Sequence, residues 1–434
     1  MARSMRRQVP TIAAVILVSA LGASLPTSAA RAEETAPADD ARRFRDLITG
    51  DWNGLRVDLA QHGVEFDLLA TNDAIAVVDG GLEQANFFPG LVEPAIGLDL
   101  ERLLGWKDTL VFVRGFGMYG RDPNEAAGAL DSPSNIANSV QTFRFYEAWI
   151  ERRFLDDSLN LRAGLYGTDS EFDAKGASVV FINSGFGTGV DLSQTGVNGP
   201  CIYSTGCLGA RLRYSPTPAH YVQVAIVDAV AGDPDDPYGT HVEIGNGEGV
   251  LVLGEAGYER SGPELRFVRA ALGLWYYSSE FDDLLQVDAD GGPKRSRASP
   301  GVYAFVEGEL LRETPDGAQG LSGFLRGGFA DPDINAVEFF AAGGLTYTGP
   351  LTGRDMDVAG FGVLIPINGD EFVRAGKLAG TPVDRAEVAL EWTYWMPVTA
   401  GISLQFDVQY IVDPGTDPAI DNVVVLGLRT RIAL

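Results

Sequence analysis

The chain has 434 residues, a mean hydropathy near zero and 53 glycines, which favour strands and turns over helix interiors. A formal net charge of −26 excludes a nucleic-acid partner, which demands basic surfaces. After the first thirty residues no stretch reaches the roughly 18 consecutive apolar residues of a spanning helix, so any membrane crossing has to be made by strands.

The chain opens on an export signal. Arg3, Arg6 and Arg7 form a basic region, Ile12 to Leu25 an apolar stretch, and Ala30-Arg31-Ala32 a small-x-small cleavage site, with Ser28-Ala29-Ala30 competing. The expected organisation is a signal peptide at 1–32, an N-terminal segment at 33–63 and one β-barrel domain at 64–434. Removing 1–32 takes away Arg3, Arg6, Arg7 and Arg31 and no acids, so the net charge moves from −26 to −30. Such an excess suits loops beyond a membrane that stay soluble by repulsion.

Asp51 to Gln61 predicts a short amphipathic helix, with Leu55 and Leu59 on one face and Gly63 as terminator. From Val64 onward no helix pattern follows. Strands are expected near 64–78, 94–104, 109–120, 142–155, 158–168, 206–215, 219–228 and 249–261. More are expected near 265–279, 300–312, 320–331, 336–349, 356–367, 384–398, 401–412 and 421–434. The last three show the pattern best. Val388, Leu390, Trp392 and Tyr394 alternate with Glu387, Glu391, Thr393 and Trp395; Leu404, Phe406, Val408 and Tyr410 with Gln405, Asp407 and Gln409; Val424 through Leu434 with Arg429 and Arg431. A period of two puts each set on its own face of a sheet. The fold class is therefore all-β: a transmembrane antiparallel β-barrel of about 16 strands with a short N-terminal helix. About 25 residues per strand and link fits that count. Ala177 to Asn183 is ambiguous and leaves fourteen or eighteen open.

The links alternate in character. Leu155-Asp156-Asp157-Ser158 predicts a tight periplasmic turn. Asp122 to Ser139, Asn183 to Gly206, Ala229 to Gly247 and Glu280 to Ser299 are long and rich in Asp, Gly, Pro and Ser, as expected outside the cell. In an exported chain Cys201 and Cys207 read as a small-loop disulfide. A metal pair would need histidines, and His62, His220 and His241 are far apart. No metal or cofactor is expected. Gly115-Phe116-Gly117-Met118-Tyr119-Gly120 matches a dinucleotide-binding string, but Arg121-Asp122-Pro123-Asn124 follows where a helix should begin. Asp288-Ala289-Asp290-Gly291-Gly292 lacks the ligands of a full calcium loop.

Several phrases, in order, resemble the carbohydrate-selective porin family. They are Gly50-Asp51-Trp52-Asn53-Gly54-Leu55-Arg56, Leu103-Leu104-Gly105-Trp106-Lys107 and Phe145-Tyr146-Glu147-Ala148-Trp149-Ile150-Glu151. Gly320 to Phe324, Gly328 to Asn335, Thr346 to Pro350, Gln409 to Gly415 and Val425 to Arg429 continue the series. Together they span residues 50 to 430. The resemblance implies a sixteen-stranded outer-membrane barrel that passes sugars by diffusion and is not an enzyme. It also implies outer-membrane lipid and lipopolysaccharide around the barrel, the barrel-assembly machinery as a partner, and a monomer or homotrimer. It would place phenylalanine at the terminus, where this chain has Leu434.

Pore-lining candidates follow from facing. A carboxylate on the lipid face is costly, so Glu147, Trp149 and Glu151 should face the lumen, with Tyr146, Ala148 and Ile150 toward lipid. Arg114 belongs inside and brings Phe112 and Phe116; Asn160, Arg162 and Tyr166 follow. Arg429 and Arg431 should face the lumen opposite Glu387, Glu391 and Asp407. Arg and Glu can hydrogen-bond sugar hydroxyls while Trp or Tyr stacks on the ring's C–H face. Two other readings stay open: a general cation-preferring porin, motivated by the acidic excess, and a barrel enzyme such as a lipase, which would need a Ser or Asp paired with a histidine such as His220.

Overall fold

The strands sort their side chains in the sense opposite to a water-soluble sheet. In Ile402–Val412, Phe406, Val408 and Tyr410 are exposed while Gln405, Asp407 and Gln409 are buried. In His220–Asp228, Val222, Val224 and Ile226 are exposed and Gln223 is buried. Apolar outside and polar inside is the pattern of a wall with hydrocarbon around it.

The computed structural model describes Phe44 and residues 47–434, apart from 243–246, 263–264 and 315–316. The export-signal expectation lies outside the described residues. The strands are β1 (Val64–Gly81), β2 (Ala85–Phe87 continued by Gly90–Asp99), β3 (Thr109–Tyr119), β4 (Thr142–Phe154), β5 (Leu159–Tyr166), β6 (Cys207–Thr217), β7 (His220–Asp228) and β8 (Val250–Gly262). Then come β9 (Leu265–Val287), β10 (Pro293–Arg312), β11 (Gly320–Ala330), β12 (Val337–Thr348), β13 (Val358–Asn368), β14 (Val388–Thr399), β15 (Ile402–Val412) and β16 (Asp421–Ala433). β2 is one strand in two pieces. Both pair with β1, and they part at Phe88-Pro89, where proline has no N–H for the ladder. Each strand runs antiparallel to the next, and β16 returns to β1 from Leu69↔Ala433 to Gly81↔Asp421. The result is a closed sixteen-stranded barrel with no free edge.

Most short turns lie at the end bearing Val64 and Ala433; the longest connections lie at the other, outer end. The Leu155–Ser158 turn is as tight as expected, with Leu155, Asp156 and Asp157 all at positive φ. Four expectations need correction. The 94–104 strand stops at Asp99, whose side chain caps the short helix Leu100–Leu104 by accepting from Glu101 N and Arg102 N. The N-terminal helix, α1 (Leu55–Gln61), starts four residues late, after a turn with Trp52 and Asn53 at positive φ. Glu280 to Ser299 is not an irregular loop, because β9 and β10 continue pairing to Val287↔Pro293 as a hairpin standing beyond the barrel. A helix does occur after Val64: Asp370–Ala379, with acids in its first turn, Lys377 in its last and Gly380 at φ 78 beyond it.

The connections 120–141 and 167–206, which hold the stretches Asp122 to Ser139 and Asn183 to Gly206 expected outside, instead fold back into the lumen. The wall supplies acceptors for their backbone N–H groups. Glu391 on β14 accepts from Ile182 N (2.6 Å) and Asn183 N (2.9 Å), Glu307 on β10 from Ala177 N (2.7 Å), and Glu387 from Leu130 N (2.8 Å). The ambiguous apolar stretch inside Ala177–Asn183 belongs here: Val180, Phe181 and Ile182 are buried with Phe324, Phe340, Leu364 and Trp395 in an apolar cluster inside the barrel. That burial, not strand pairing, explains its composition. Cys201 and Cys207 are joined by a disulfide across the end of the second inward connection, with Cα atoms 5.5 Å apart.

α1 sits at the seam. Its buried Arg56 donates to Phe66 O on β1 (2.9 Å) and to Leu434 O (3.1 Å). Higher on the same seam, Arg429 of β16 meets Asp73 of β1 at 2.7 and 2.8 Å, both nearly wholly buried.

Removing one partner of a buried pair leaves the other charge unmatched, at about 3–5 kcal/mol. Asp73→Ala should therefore lower the temperature at which the folded barrel loses its compact mobility on a detergent gel, and Asp73→Ala with Arg429→Leu should recover part of it. A second outcome concerns Asp131, in the first inward connection. Burial, reinforced by the charge of Glu387, pushes its carboxyl up to about 8. Its folded form thus holds a proton that the unfolded chain releases near pH 4, and stability falls as pH rises from about 4 to 8. Asp131→Asn should raise the urea midpoint at pH 9 and leave it nearly unchanged at pH 4, which flattens the pH profile.

Candidate functional site

The inward connections seal one side of the lumen and leave the other open. On β8 to β15 the inward side chains Glu255, Glu307, Arg326, Glu391 and Asp407 are no more than 3% exposed. On β2, β3, β5 and β16, Glu93, Ala95, Leu110, Arg114, Asn160 and Arg431 keep partial exposure. The accessible inward groups thus gather on the first strands and the closing one, and we place the free passage beside them. It opens at the inner end into a vestibule of about 800 Å³, whose lining includes Gly97, Leu110, Glu151, Asn160 and Tyr221.

Charges of both signs meet along this wall. Arg114 on β3 lies 3.4 Å from Glu147 on β4, and Glu147 also accepts from Trp149 Nε1 (3.4 Å). Arg162 on β5 lies flat over the Trp149 ring, 3.8 Å from its centroid, and donates to Glu151 (2.9 Å). Gly164, at φ +139 and opposite Trp149 in register, makes room: a Cβ there would sit 2.7 Å from Trp149 Cα. The same Glu151 oxygen accepts from Arg211 Nη2 (2.9 Å). Glu171, from the inward connection, completes the group by pairing with Arg211 and Arg162. Burial would push the Glu171 carboxyl up, but the two guanidiniums outweigh it and hold it at about 2. On the neighbouring strand β2, Glu93 carries the fields of Arg114, Arg431 and Arg429.

All ten residues expected to line the pore point inward, but in two tiers. Arg114 and Arg431 are reached from the passage. Phe112, Phe116, Glu147, Trp149, Glu151, Arg162, Tyr166 and Arg429 are buried behind it, where they shape the wall. Arg429 is turned to Asp73 on β1. Of its expected carboxylates, Glu387 and Glu391 serve backbone N–H groups of the inward connections instead. Tyr146 was expected to face lipid and does not. A β-bulge opposite Arg114 and Gly115 turns both Tyr146 and Glu147 inward, where the Tyr146 ring stacks on Phe116 at 4.3 Å and its hydroxyl bonds Asp169. The sequence reading missed Asp73, Glu93, Arg211 and Glu171. The inward parity of β2 and β6 pointed to Glu93 and Arg211, whereas nothing local marked Glu171, which lies on a connection. His220 bonds Thr217 Oγ1 across the β6–β7 turn, on the exposed inner rim.

The comparisons with known proteins agree with this geometry. The family model of the OprB carbohydrate-selective porins matches residues 92–434. The chain is similar to Porin B of Pseudomonas aeruginosa, 26% identical over 88% of this chain and 90% of that one. It is also similar to the putative porin QuiX of Acinetobacter baylyi, 21% identical over 89% and 93%. Among solved structures, the high-pH structure of Pseudomonas putida OprB superposes with a TM-score of 0.82 at 23% identity, covering 90% of this chain and 98% of that one. The low-pH structure of the same protein gives 0.60 at 18% identity, with the same coverage. Family and fold point to a channel rather than an enzyme. The chain belongs to the OprB family of carbohydrate-selective porins, as a multi-pass β-barrel of the outer membrane.

Proposed function

We propose that neutral mono- or small oligosaccharides diffuse down the open wall of the lumen, past Arg114, Glu93 and Arg431, with Glu147 buried behind Arg114. The observation that carries this reading is the placement of opposite charges in contact with one another along a partly exposed passage. Such a wall offers donors and acceptors to hydroxyls at every step without a net field that would hold a neutral solute. Phe112 and Trp149 stand behind these charges and keep Arg114 and Arg162 extended by stacking. We further infer that residues 1–32 direct export, that the assembly machinery inserts the barrel, and that it rests among outer-membrane lipid and lipopolysaccharide as a monomer or homotrimer.

A cation preference for small ions accompanies this reading, for a specific reason. The inner vestibule is lined by Glu65, Asp67, Asp99, Glu101, Asp108 and Glu259 among others, against Arg102, Arg153 and Arg213. A mouth with that excess concentrates cations.

Liposomes holding the protein should swell in glucose and maltose faster than empty liposomes, and swelling no faster than the empty control would overturn the proposal. Arg114→Ala removes one donor from the passage and should slow glucose uptake about twofold to tenfold. In a planar bilayer under a salt gradient the reversal potential should take the sign of cation preference. Replacing Asp99, Glu101 and Asp108 by their amides should move it toward zero with glucose uptake retained.

A further inference from the structure

A second cavity, of about 260 Å³, lies at the outer mouth. Its walls come from three connections: 120–141, the disulfide-closed end of 167–206, and residues 231–241 after β7. At its side sits Arg144, the outermost inward-facing arginine of β4, only 6% exposed. Its Nη1 donates to Thr205 Oγ1 (2.8 Å) and its Nη2 to Pro237 O (2.9 Å), while Nε has no partner.

What sets Arg144 apart from the other buried arginines of the strands is the lack of a counter-charge among the described residues. Arg162, Arg211, Arg326 and Arg429 are buried as deeply, and each meets a carboxylate. Among the described residues no carboxylate lies within 4.0 Å of Arg144. Asp233, the one acid in the cavity lining, has its Oδ1 engaged by Asp235 N (2.8 Å). A buried guanidinium matched only by a hydroxyl and a carbonyl is costly unless an anion reaches it. The rest of the lining suits a hydroxylated molecule: the Ser139 and Ser193 hydroxyls and the Asn198 side-chain oxygen have no hydrogen-bond partner among the described residues, and Tyr203 adds an aromatic ring whose hydroxyl is tied to Ile136 O (2.6 Å).

We propose that this cavity is an outer capture site for a carboxylate-bearing sugar, such as a uronate. The carboxylate pairs with Arg144, and the ring hydroxyls meet Ser139, Ser193 and Asn198. Tyr203 packs on Phe116 at 5.4 Å, and Phe116 on Tyr146, so the site backs directly onto the inner wall of the passage. The proposal rests on the sugar-channel reading, which glucose uptake measures separately.

The test is single-channel current in a planar bilayer, with glucuronate, glucose or acetate added on the loop side. Glucuronate should interrupt the current at a concentration about tenfold lower than glucose or acetate, given the strength of a charge-assisted pair. Arg144→Gln should raise that concentration about tenfold and leave glucose uptake by liposomes unchanged. If Arg144→Gln does not reach the folded gel mobility, Ser139→Ala with Ser193→Ala decides instead, and should weaken glucuronate severalfold while acetate is unaffected. Equal block by acetate and glucuronate, or block by glucuronate that both variants retain, would overturn the proposal.

Discussion

The interior depends on one exchange: carboxylates of the wall accept from backbone N–H groups of connections that have left the surface. A peptide segment carried into a barrel loses water from its amides, and each unmatched N–H would cost free energy comparable to a lost hydrogen bond. Glu391, Glu307, Glu387 and Glu255 meet that need at Ile182, Ala177, Leu130 and Asp173 respectively. The same bonds answer the opposite problem, since a wall glutamate facing an apolar cluster of Phe181, Phe324 and Phe340 would otherwise stand without a donor. The acidic surplus of the chain is thus partly structural, and the passage is whatever the filled side leaves over.

That division explains why net charge says little about the solute. Many of the interior acids are committed to amides, guanidiniums or both, as Asp173 is to Arg326 and Lys175. Those left toward the inner vestibule shape the field for small ions, whereas the narrow part of the route presents charges already neutralised by neighbours. Selectivity among neutral solutes then comes from hydrogen-bond geometry and from the width left beside the inward connections.

How much could be read from the sequence follows from the range of each signal. Lipid and lumen faces were legible because a period of two is local: Phe406, Val408 and Tyr410 against Gln405, Asp407 and Gln409 need no knowledge of the rest. The facing argument failed at Tyr146, where the bulge adds one residue to β4, a matter of two strands meeting rather than of one. The partner of Arg429 was missed because Asp73 lies 356 residues away, brought close only by closure. The inward connections read as outer loops because Asp, Gly, Pro and Ser mark irregular backbone without saying which way it turns. The apolar centre of the second, Val180 to Ile182, was the one hint that it goes inside.

Arg56 bonds Phe66 O on the first strand and Leu434 O beside the last, so its receptor site does not exist on either strand alone. The segment carrying α1 emerges before any barrel strand in synthesis but finds its seat only when the two ends of the wall have met. Docking of α1 is therefore a readout of completion. A barrel caught with its seam unzipped would carry α1 loose, open to a protease at the inner face, and cleavage near Trp52 would count the unclosed molecules in a population.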